Sequence, residues 1–194
     1  MNNKQRRRVK KIVFLTGLAL AILLVQGLAL FLLGQPAICE CGYVKLWEGV
    51  VRSPGNSQHL SDWYSFSHII HGLVFYVILW ALFPRMPVGY RFLLALGIEA
   101  GWEIFENTPW VINLYRQQAL AQGYVGDSIL NSLSDTLFAA LGLGIARRVP
   151  VWASIALIIA FEVWVVYSIH DNLLLNVLNF VYPFEFIRQW QAGM

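Results

Sequence analysis

Five apolar runs, each long enough to cross a lipid bilayer, constrain this chain more than any other feature of its sequence. They cover residues 12–34, 64–83, 88–106, 128–146 and 151–169. Crossing the hydrocarbon core takes about 20 mainly apolar residues, and every backbone polar group inside it must be hydrogen-bonded within the segment. Since 58% of the 194 residues are hydrophobic and only 13% are charged, we predict an all-α, polytopic membrane helix bundle with about five transmembrane helices.

The remaining segments divide the chain without suggesting a second domain. We predict one integral-membrane domain over residues 1–194, with a basic cytoplasmic tail at 1–11, an outer loop at 35–62 and an interfacial segment at 170–194. The first run is about as long as a full span and no small-residue cleavage site follows it, so it is expected to remain as an anchor. Residues 172–180 are too short to span and carry three asparagines on one face, which favours an interfacial helix ending near Pro183. A tilted or re-entrant sixth span is the alternative.

The distribution of lysine and arginine predicts the orientation. Ten of these residues lie before the first run, flank the turn between the second and third runs, or lie between the fourth and fifth: Lys4, Arg6, Arg7, Arg8, Lys10, Lys11, Arg85, Arg91, Arg147 and Arg148. Four lie on the other side: Lys45, Arg52, Arg116 and Arg188. The positive-inside rule then places the N-terminus in the cytoplasm of a bacterial inner membrane. In this position the basic tail indicates topology, so membrane lipids and no nucleic acid are the expected partners.

Polar side chains form stripes on three of the predicted helices. His68 and His71 are three residues apart, and Glu99, Glu103 and Glu106 follow a spacing of four and three. The fourth run begins with Asp127, Asn131 and Asp135, at a spacing of four. Residues three or four apart share a helix face. Counting ~1.5 Å per residue from the outer ends puts His68, His71, Glu99, Glu103, Asn131 and Asp135 roughly 5 to 11 Å deep, so we expect one polar chamber open to the outside.

Two kinds of chemistry fit these residue types. Two imidazoles and several carboxylates suit a divalent metal such as zinc or manganese, which activates water. We predict His68, His71, Glu103 and Asp135 as metal ligands and Glu99 as the general base. Without a metal, the same groups suit acid-base catalysis or proton transfer. The structural alternative is that they hydrogen-bond between helices, which is the favoured role for Ser134 and Glu162.

Outside the spans, the sequence offers three further features. Cys39 and Cys41 favour a strained disulfide in an oxidising compartment, with soft-metal binding as the minority alternative. Asp127 or Ser128 is expected to cap the fourth span. The last feature is a predicted interfacial belt of aromatic residues, namely Trp47, Trp63, Tyr64, Trp110, Tyr115, Tyr124, Trp164 and Tyr167.

Seven stretches of the chain resemble an uncharacterised family, of the UPF/DUF type, of proteobacterial multi-pass inner-membrane proteins. The stretches are 39–47 (CECGYVKLW), 57–64 (SQHLSDWY), 67–72 (SHIIHG), 102–107 (WEIFEN), 123–128 (GYVGDS), 131–135 (NSLSD) and 171–173 (DNL). The resemblance implies an inner-membrane location but carries no activity. Phe66 stands where the family pattern has proline, and His170 stands where it has arginine, which argues against His170 as a ligand. A fainter similarity to VanZ-like membrane proteins assigns no function.

Three functions remain open on the sequence alone. One is a membrane hydrolase or transferase, with or without a metal, that acts on a lipid-linked substrate at the outer face. The second is a scaffold or assembly factor whose polar groups are structural. The third is a small proton-coupled carrier, which with about five helices and no internal repeat would need to form a homo-oligomer or bind a membrane-protein partner.

Overall fold

The computed structural model describes residues 1–193 and folds them almost entirely into helices. Within that range lie eight helices, α1 (Asn3–Leu32), α2 (Ser65–Leu82), α3 (Val88–Glu106), α4 (Pro109–Tyr115), α5 (Ile129–Ala146), α6 (Val151–Ile169), α7 (Leu173–Val181) and α8 (Glu185–Ala192). Residues 1–193 contain no β-strand, and a single isolated bridge joins Glu48 to Asp62. The predicted all-α membrane helix bundle is therefore confirmed, and the protein is a membrane protein.

Each of the five predicted spans coincides with one long helix, although α1 begins nine residues before its predicted span. Four of them, α1, α2, α5 and α6, are long and apolar enough to cross a bilayer. The fifth, α3, has 19 residues but carries Arg91, Glu99, Glu103 and Glu106, so its composition alone does not qualify it. It packs against α1, α2 and α5, which keeps Arg91, Glu99 and Glu103 at most 3% exposed. We therefore expect α3 to be a fifth membrane-spanning helix, because its neighbours bury three of its four charged residues.

The helices have two distinct ends. The short-turn end is formed by residues 83–87 and 147–150, and the loop end by residues 33–64 and 107–128. Lys11 lies 5.4 Å from the ring of Tyr90 at the start of α3, so the basic N-terminal part of α1 belongs to the short-turn end. Arg91 is buried there and donates to the carbonyl oxygens of Phe83 and Met86. The ten lysines and arginines that the sequence assigns to the cytoplasmic side therefore lie at the short-turn end.

Glycines bring α2 and α5 into backbone contact. A Cβ atom on Gly72 would lie 2.0 Å from the carbonyl oxygen of Ala139, and one on Gly142 would lie 2.1 Å from that of Ile69. Small residues at such crossings are the usual means of close helix packing in membranes. The crossing fixes α2 against α5, so that Ser65 and His68 lie next to Asp135 one to two turns further along.

The segment after α6 forms two short helices rather than one. Asn172 caps α7 by accepting from the backbone N–H of Leu175 at 2.9 Å, as its N-cap position favours. Nine residues are too few to span a bilayer, which agrees with the prediction for this segment. The sequence did not predict α8, nor the short α4. Met194, the last residue of the predicted interfacial segment, lies outside the described residues.

Four local predictions concern the cap of α5, Glu162, the two cysteines and His170. Ser128, not Asp127, caps α5 by accepting from the backbone N–H of Asn131. Glu162 stays out of the polar chamber and accepts from the backbone N–H groups of Leu173 and Leu174, as a structural role requires. Cys39 and Cys41 form a disulfide. His170 stacks on Trp190 in a left-handed backbone conformation, away from the predicted ligands.

Candidate functional site: a histidine and carboxylate cluster beside a cavity

The two histidines of α2 share one carboxylate of α3. His68 Nδ1 lies 2.7 Å from Glu99 Oε1, and His71 Nδ1 lies 3.2 Å from both oxygens of Glu99. A carboxylate only accepts hydrogen bonds, so each ring donates its Nδ1–H and leaves Nε2 for another partner. Carboxylates hold metal-binding and catalytic histidines in this way. Glu99 itself is fully buried, so it lies behind the two rings.

Asp135 of α5 approaches His68 from the other side. Its Oδ2 lies 3.8 Å from His68 Nε2, and its Oδ1 accepts from the hydroxyl of Ser65 at 2.9 Å. A separation of 3.8 Å is too long for a hydrogen bond. Two ligand atoms each ~2.0–2.2 Å from a zinc ion would lie within ~4.4 Å of each other. The gap between Asp135 and His68 is therefore of the size that a bound cation fills.

Glu103 completes the group on α3. Its Oε2 accepts from the hydroxyl of Ser132 at 2.7 Å. Its Oε1 lies 3.2 Å from His68 Nδ1, whose hydrogen is already directed at Glu99. This Oε1 atom is buried, and none of the described residues forms a hydrogen bond with it. Buried carboxylate oxygens are normally paired, so an unpaired one calls for an explanation.

The structure divides the predicted ligands into two overlapping sets. His68, Glu103 and Asp135 each offer an atom within 4.8 Å of the others, whereas His71 forms such a set with His68 and Glu99. We name the five residues His68, His71, Glu99, Glu103 and Asp135 the His–carboxylate cluster. The predicted site residues therefore lie together, but His71 is grouped with the predicted base Glu99 rather than with Glu103 and Asp135. Their metal-binding and catalytic roles stay predictions.

A glutamine of α1 supports the cluster from behind. Gln26 donates to the hydroxyl of Ser132 at 2.8 Å and to its carbonyl oxygen at 3.0 Å, and accepts from Thr136 at 2.9 Å. Ser132 in turn donates to Glu103. Gln26 was not predicted as part of the site, although a single glutamine within an apolar run was a visible signal. Its partners are about 106 residues away in the chain, so the sequence could not identify them.

Two more acidic residues, Glu106 and Asp127, extend the cluster toward the loop end. Glu103, Glu106 and Asp127 each offer an oxygen within 4.8 Å of the others. Asp127 accepts from Asn107 Nδ2 at 2.7 Å and from the hydroxyl of Tyr124 at 2.9 Å. Burial raises the pKa of Asp127 to about 6, although these two hydrogen bonds lower it. Asp127 is thus held by side chains and is not the helix cap.

A cavity of about 540 Å³ lies beside the cluster at the loop end. Its lining contains two histidines and three carboxylates, namely His68, His71, Glu106, Asp127 and Asp135, together with Arg52. Its apolar lining includes Trp102 and four residues of α7, namely Leu173, Val177, Phe180 and Val181. Tyr64, Tyr115 and Tyr124 also line the cavity, so this part of the predicted aromatic belt lies inside the protein.

The far side of the cluster is closed by apolar side chains. Between Glu99 and the short-turn end, the buried residues of α2, α3 and α5 include Leu73, Leu79, Ala95, Leu96, Ala139 and Leu143, which are at most 8% exposed. Leu73 belongs to one packed apolar group, and Leu79, Ala95 and Leu143 belong to a second. The cluster therefore faces the loop end, where the cavity lies.

Comparison with known proteins identifies the family. Residues 30–193 match a family described as "Protein of unknown function (DUF2585)". A UPF0314 protein of Rhizobium etli is 50% identical over 187 residues, which is 96% of each chain. A UPF0314 protein of Rhizobium meliloti is 50% identical over 193 residues, covering 100% of this chain and 96% of the relative. One from Sphingopyxis alaskensis is 51% identical over 180 residues, covering 92% and 96%.

No solved structure matches the chain. The names of these relatives give a family but no activity, and none of these relatives is named as a VanZ-like protein. The predicted resemblance to an uncharacterised proteobacterial family is confirmed, and the chain belongs to the DUF2585 family of UPF0314 proteins.

Proposed function

We propose that this protein is a multi-pass inner-membrane hydrolase or transferase that acts on a lipid-linked substrate at the outer face of the membrane. Its N-terminus is cytoplasmic, because ten of its lysines and arginines lie at the short-turn end or in the N-terminal tail. The loop end then faces the periplasm. An oxidising compartment on that side agrees with the disulfide between Cys39 and Cys41.

The observation that carries the proposal is the cavity lined by both carboxylates and apolar side chains. A cavity of about 540 Å³ is within the usual range for small-molecule sites, roughly 300–1,000 Å³. Part of the apolar lining comes from α7, where Val177 and Val181 line the cavity and are still at least 52% exposed. An amphipathic molecule would place its polar group against the cluster and its hydrocarbon against α7 and Trp102.

In this proposal a divalent cation such as zinc or manganese is held by His68, Glu103 and Asp135. The cation would polarise the substrate and lower the pKa of a bound water. His71 lines the cavity and has its Nδ1 bonded to Glu99, so it is placed to take the proton of that water. Glu99 then acts through His71 as a positioning residue, because it is fully buried behind the ring.

Metal content tests this proposal directly. Protein purified in mild detergent is analysed by mass spectrometry for bound metal and assayed with two amphipathic probes, p-nitrophenyl octanoate and dioctanoyl phosphatidic acid. We expect bound cation in the wild type, cation-dependent hydrolysis of at least one probe, and loss of both in Asp135→Asn. The matched control is Asp171→Asn, which changes another buried carboxylate at the same end. A wild type without cation and without hydrolysis of either probe would overturn the proposal.

The role of Glu99 needs a separate readout. Glu99→Gln should change the pH at which hydrolysis reaches half of its maximal rate, because the amide no longer fixes the charge and orientation of His71. If Glu99 were only structural, the variant would lower the rate by the same factor at every pH.

The two alternatives receive less support from the structure. A carrier needs access to the cluster from both ends, but apolar side chains separate it from the short-turn end. A scaffold needs neither a cavity nor a carboxylate oxygen without a hydrogen-bond donor. The absence of proton flux in reconstituted vesicles, together with bound cation, would exclude the carrier.

A further inference from the structure

Glu106 and Asp127 are not used by the proposed single-cation site, yet they lie directly beside it. Both offer an oxygen within 4.8 Å of one from Glu103 and of each other. Glu103 also belongs to the set with His68 and Asp135. One carboxylate is therefore common to two neighbouring groups of ligand-type residues, as in sites where a carboxylate bridges two metal ions.

The unpaired oxygen of Glu103 is the second observation. Glu103 is 1% exposed, and within the described part of the chain its Oε1 has no hydrogen-bond donor. Leaving such an atom unpaired is unfavourable, and more so when the group is charged. A bound cation would supply the missing partner at this position.

The charge balance points in the same direction. Five carboxylates, from Glu99, Glu103, Glu106, Asp127 and Asp135, lie around two imidazoles. With both rings neutral, as a metal ligand and a base require, and with Arg52 of the cavity lining counted, the group would carry four more negative charges than positive ones if every carboxylate were ionised. Buried charges of one sign require compensation, and one dication leaves part of this excess.

The candidate ligands are already oriented by neutral donors. Asn107 and Tyr124 each donate to one oxygen of Asp127, Ser132 donates to Glu103, and Ser65 donates to Asp135. Each carboxylate oxygen accepts more than one bond, so these donors leave room for a metal. Such supporting hydrogen bonds are typical of ligands in metal sites.

We propose that the site holds two divalent cations bridged by Glu103, with His68 and Asp135 on one and Glu106 and Asp127 on the other, and that its substrate is a lipid-linked phosphate ester or diphosphate. This inference rests on the proposed function and specifies it. Two cations about 3.5–4 Å apart stabilise both the attacking and the leaving oxygen of an in-line displacement. That arrangement suits reaction at phosphorus.

The reaction is a hydrolysis. The oxygen of a water molecule would form a bond to phosphorus while the bond from phosphorus to the lipid-side oxygen breaks, and the electron pair of the broken bond would leave with that oxygen; the cations, held by His68, Asp135, Glu103, Glu106 and Asp127, would make that water more acidic. The proton of the water passes to His71, and the leaving oxygen is protonated from solvent. The products are inorganic phosphate and a lipid alcohol, or inorganic phosphate and a lipid monophosphate when the substrate is a diphosphate.

Counting manganese ions per chain tests the second cation. Wild type loaded with Mn²⁺ and then desalted should retain two ions and give the electron paramagnetic resonance spectrum of a coupled pair. Glu106→Gln should retain one ion and lose the coupling. Asp127→Asn should also retain one ion and lose the coupling, and it replaces Glu106→Gln in the test if that variant does not fold. Asp171→Asn should keep two ions, as the control for loss of a buried carboxylate elsewhere.

The outcomes separate the two proposals. One ion in the wild type, unchanged in Glu106→Gln, would overturn the bridged pair and leave the proposed single-cation function standing. A wild type that retains no ion would overturn the metal site in both proposals.

The substrate class has its own assay. We expect Mn²⁺-dependent release of inorganic phosphate from dioctanoyl phosphatidic acid or from farnesyl diphosphate, reduced at least about 100-fold in Glu106→Gln. The first probe represents glycerol-based lipids and the second prenyl lipids, so the preferred probe indicates the source of the phosphate. Hydrolysis of p-nitrophenyl octanoate without phosphate release from either probe would overturn the phosphate assignment.

Discussion

Asp171 and Glu103 are both 1% exposed carboxylates near the loop end, but their surroundings differ. Asp171 accepts four hydrogen bonds, from Tyr64 at 2.9 Å, Asn172 N at 3.0 Å, Asn176 at 3.1 Å and Gln191 at 3.2 Å. Glu103 accepts one, from Ser132, and otherwise faces His68 and more carboxylates. Burial alone therefore does not distinguish the two carboxylates, whereas the number of hydrogen-bond donors around them does.

The largest expected effect is that of Glu103→Gln. Because the proposed site shares this carboxylate between both cations, the variant should lose both, and phosphate release should fall at least about 1,000-fold, or about 4 kcal/mol. Metal analysis and the phosphate assay measure this, with the melting temperature as the control for folding. A variant that melts lower but keeps its cations would place Glu103 in the same structural class as Asp171.

Asp171→Ala should act on stability instead. The substitution leaves four donors without their acceptor, at about 1 kcal/mol each, so the free energy of unfolding should fall by about 4 kcal/mol. Thermal unfolding in detergent measures the loss, and the cation content per folded molecule should not change. If the cations were lost from molecules that remain folded, the comparison between the two carboxylates would fail.

The pH dependence of stability should also depend on Asp171. Burial raises its pKa to about 6 in the folded protein, from an ordinary value of 3.8. A raised acid pKa means that the folded state holds the proton more tightly, so stability should fall as pH rises from about 4 to about 6, by up to about 3 kcal/mol, and then level off. Asp171→Asn should lack this component. Identical profiles of stability against pH for wild type and variant would contradict the raised pKa of Asp171.

The smallest expected effect is that of Gln26→Leu. Losing the bonds to Ser132 and Thr136 should cost about 0.6–2 kcal/mol of stability. Manganese affinity should fall about 10-fold, because Ser132 would no longer be held against Glu103. The exposed Thr16 of the same helix allows the matched control Thr16→Leu. Equal effects of the two substitutions would show that Gln26 does not support the cluster.

The sequence predicted most of the bundle because its signals are local. Apolar runs and three-to-four spacing located the five long helices and the stripes containing His68, Glu99 and Asp135. Counting residues along the helices also brought those side chains to a common depth. These inferences require only the geometry of a single helix.

The pairings within the site could not be predicted in the same way. That His71 pairs with Glu99 while Asp135 faces His68 depends on how α2, α3 and α5 are rotated about their axes. The glycine contact between α2 and α5 sets part of this rotation, and it involves residues about 70 positions apart. The cavity wall formed by α7 depends on contacts between distant segments as well, and so does the inward position of Tyr115 and Tyr124.

Gln26 has a consequence for how the protein is made. Its partner Ser132 is 106 residues further along the chain, and ribosomes add roughly 5–20 residues per second. During synthesis α1 therefore enters the bilayer with an unpaired amide and waits roughly 5 to 20 seconds for α5. The rest of α1 is apolar enough to keep the helix inserted meanwhile. The cluster can therefore form only after α5 has been made, because Glu103 meets its supporting serine only then.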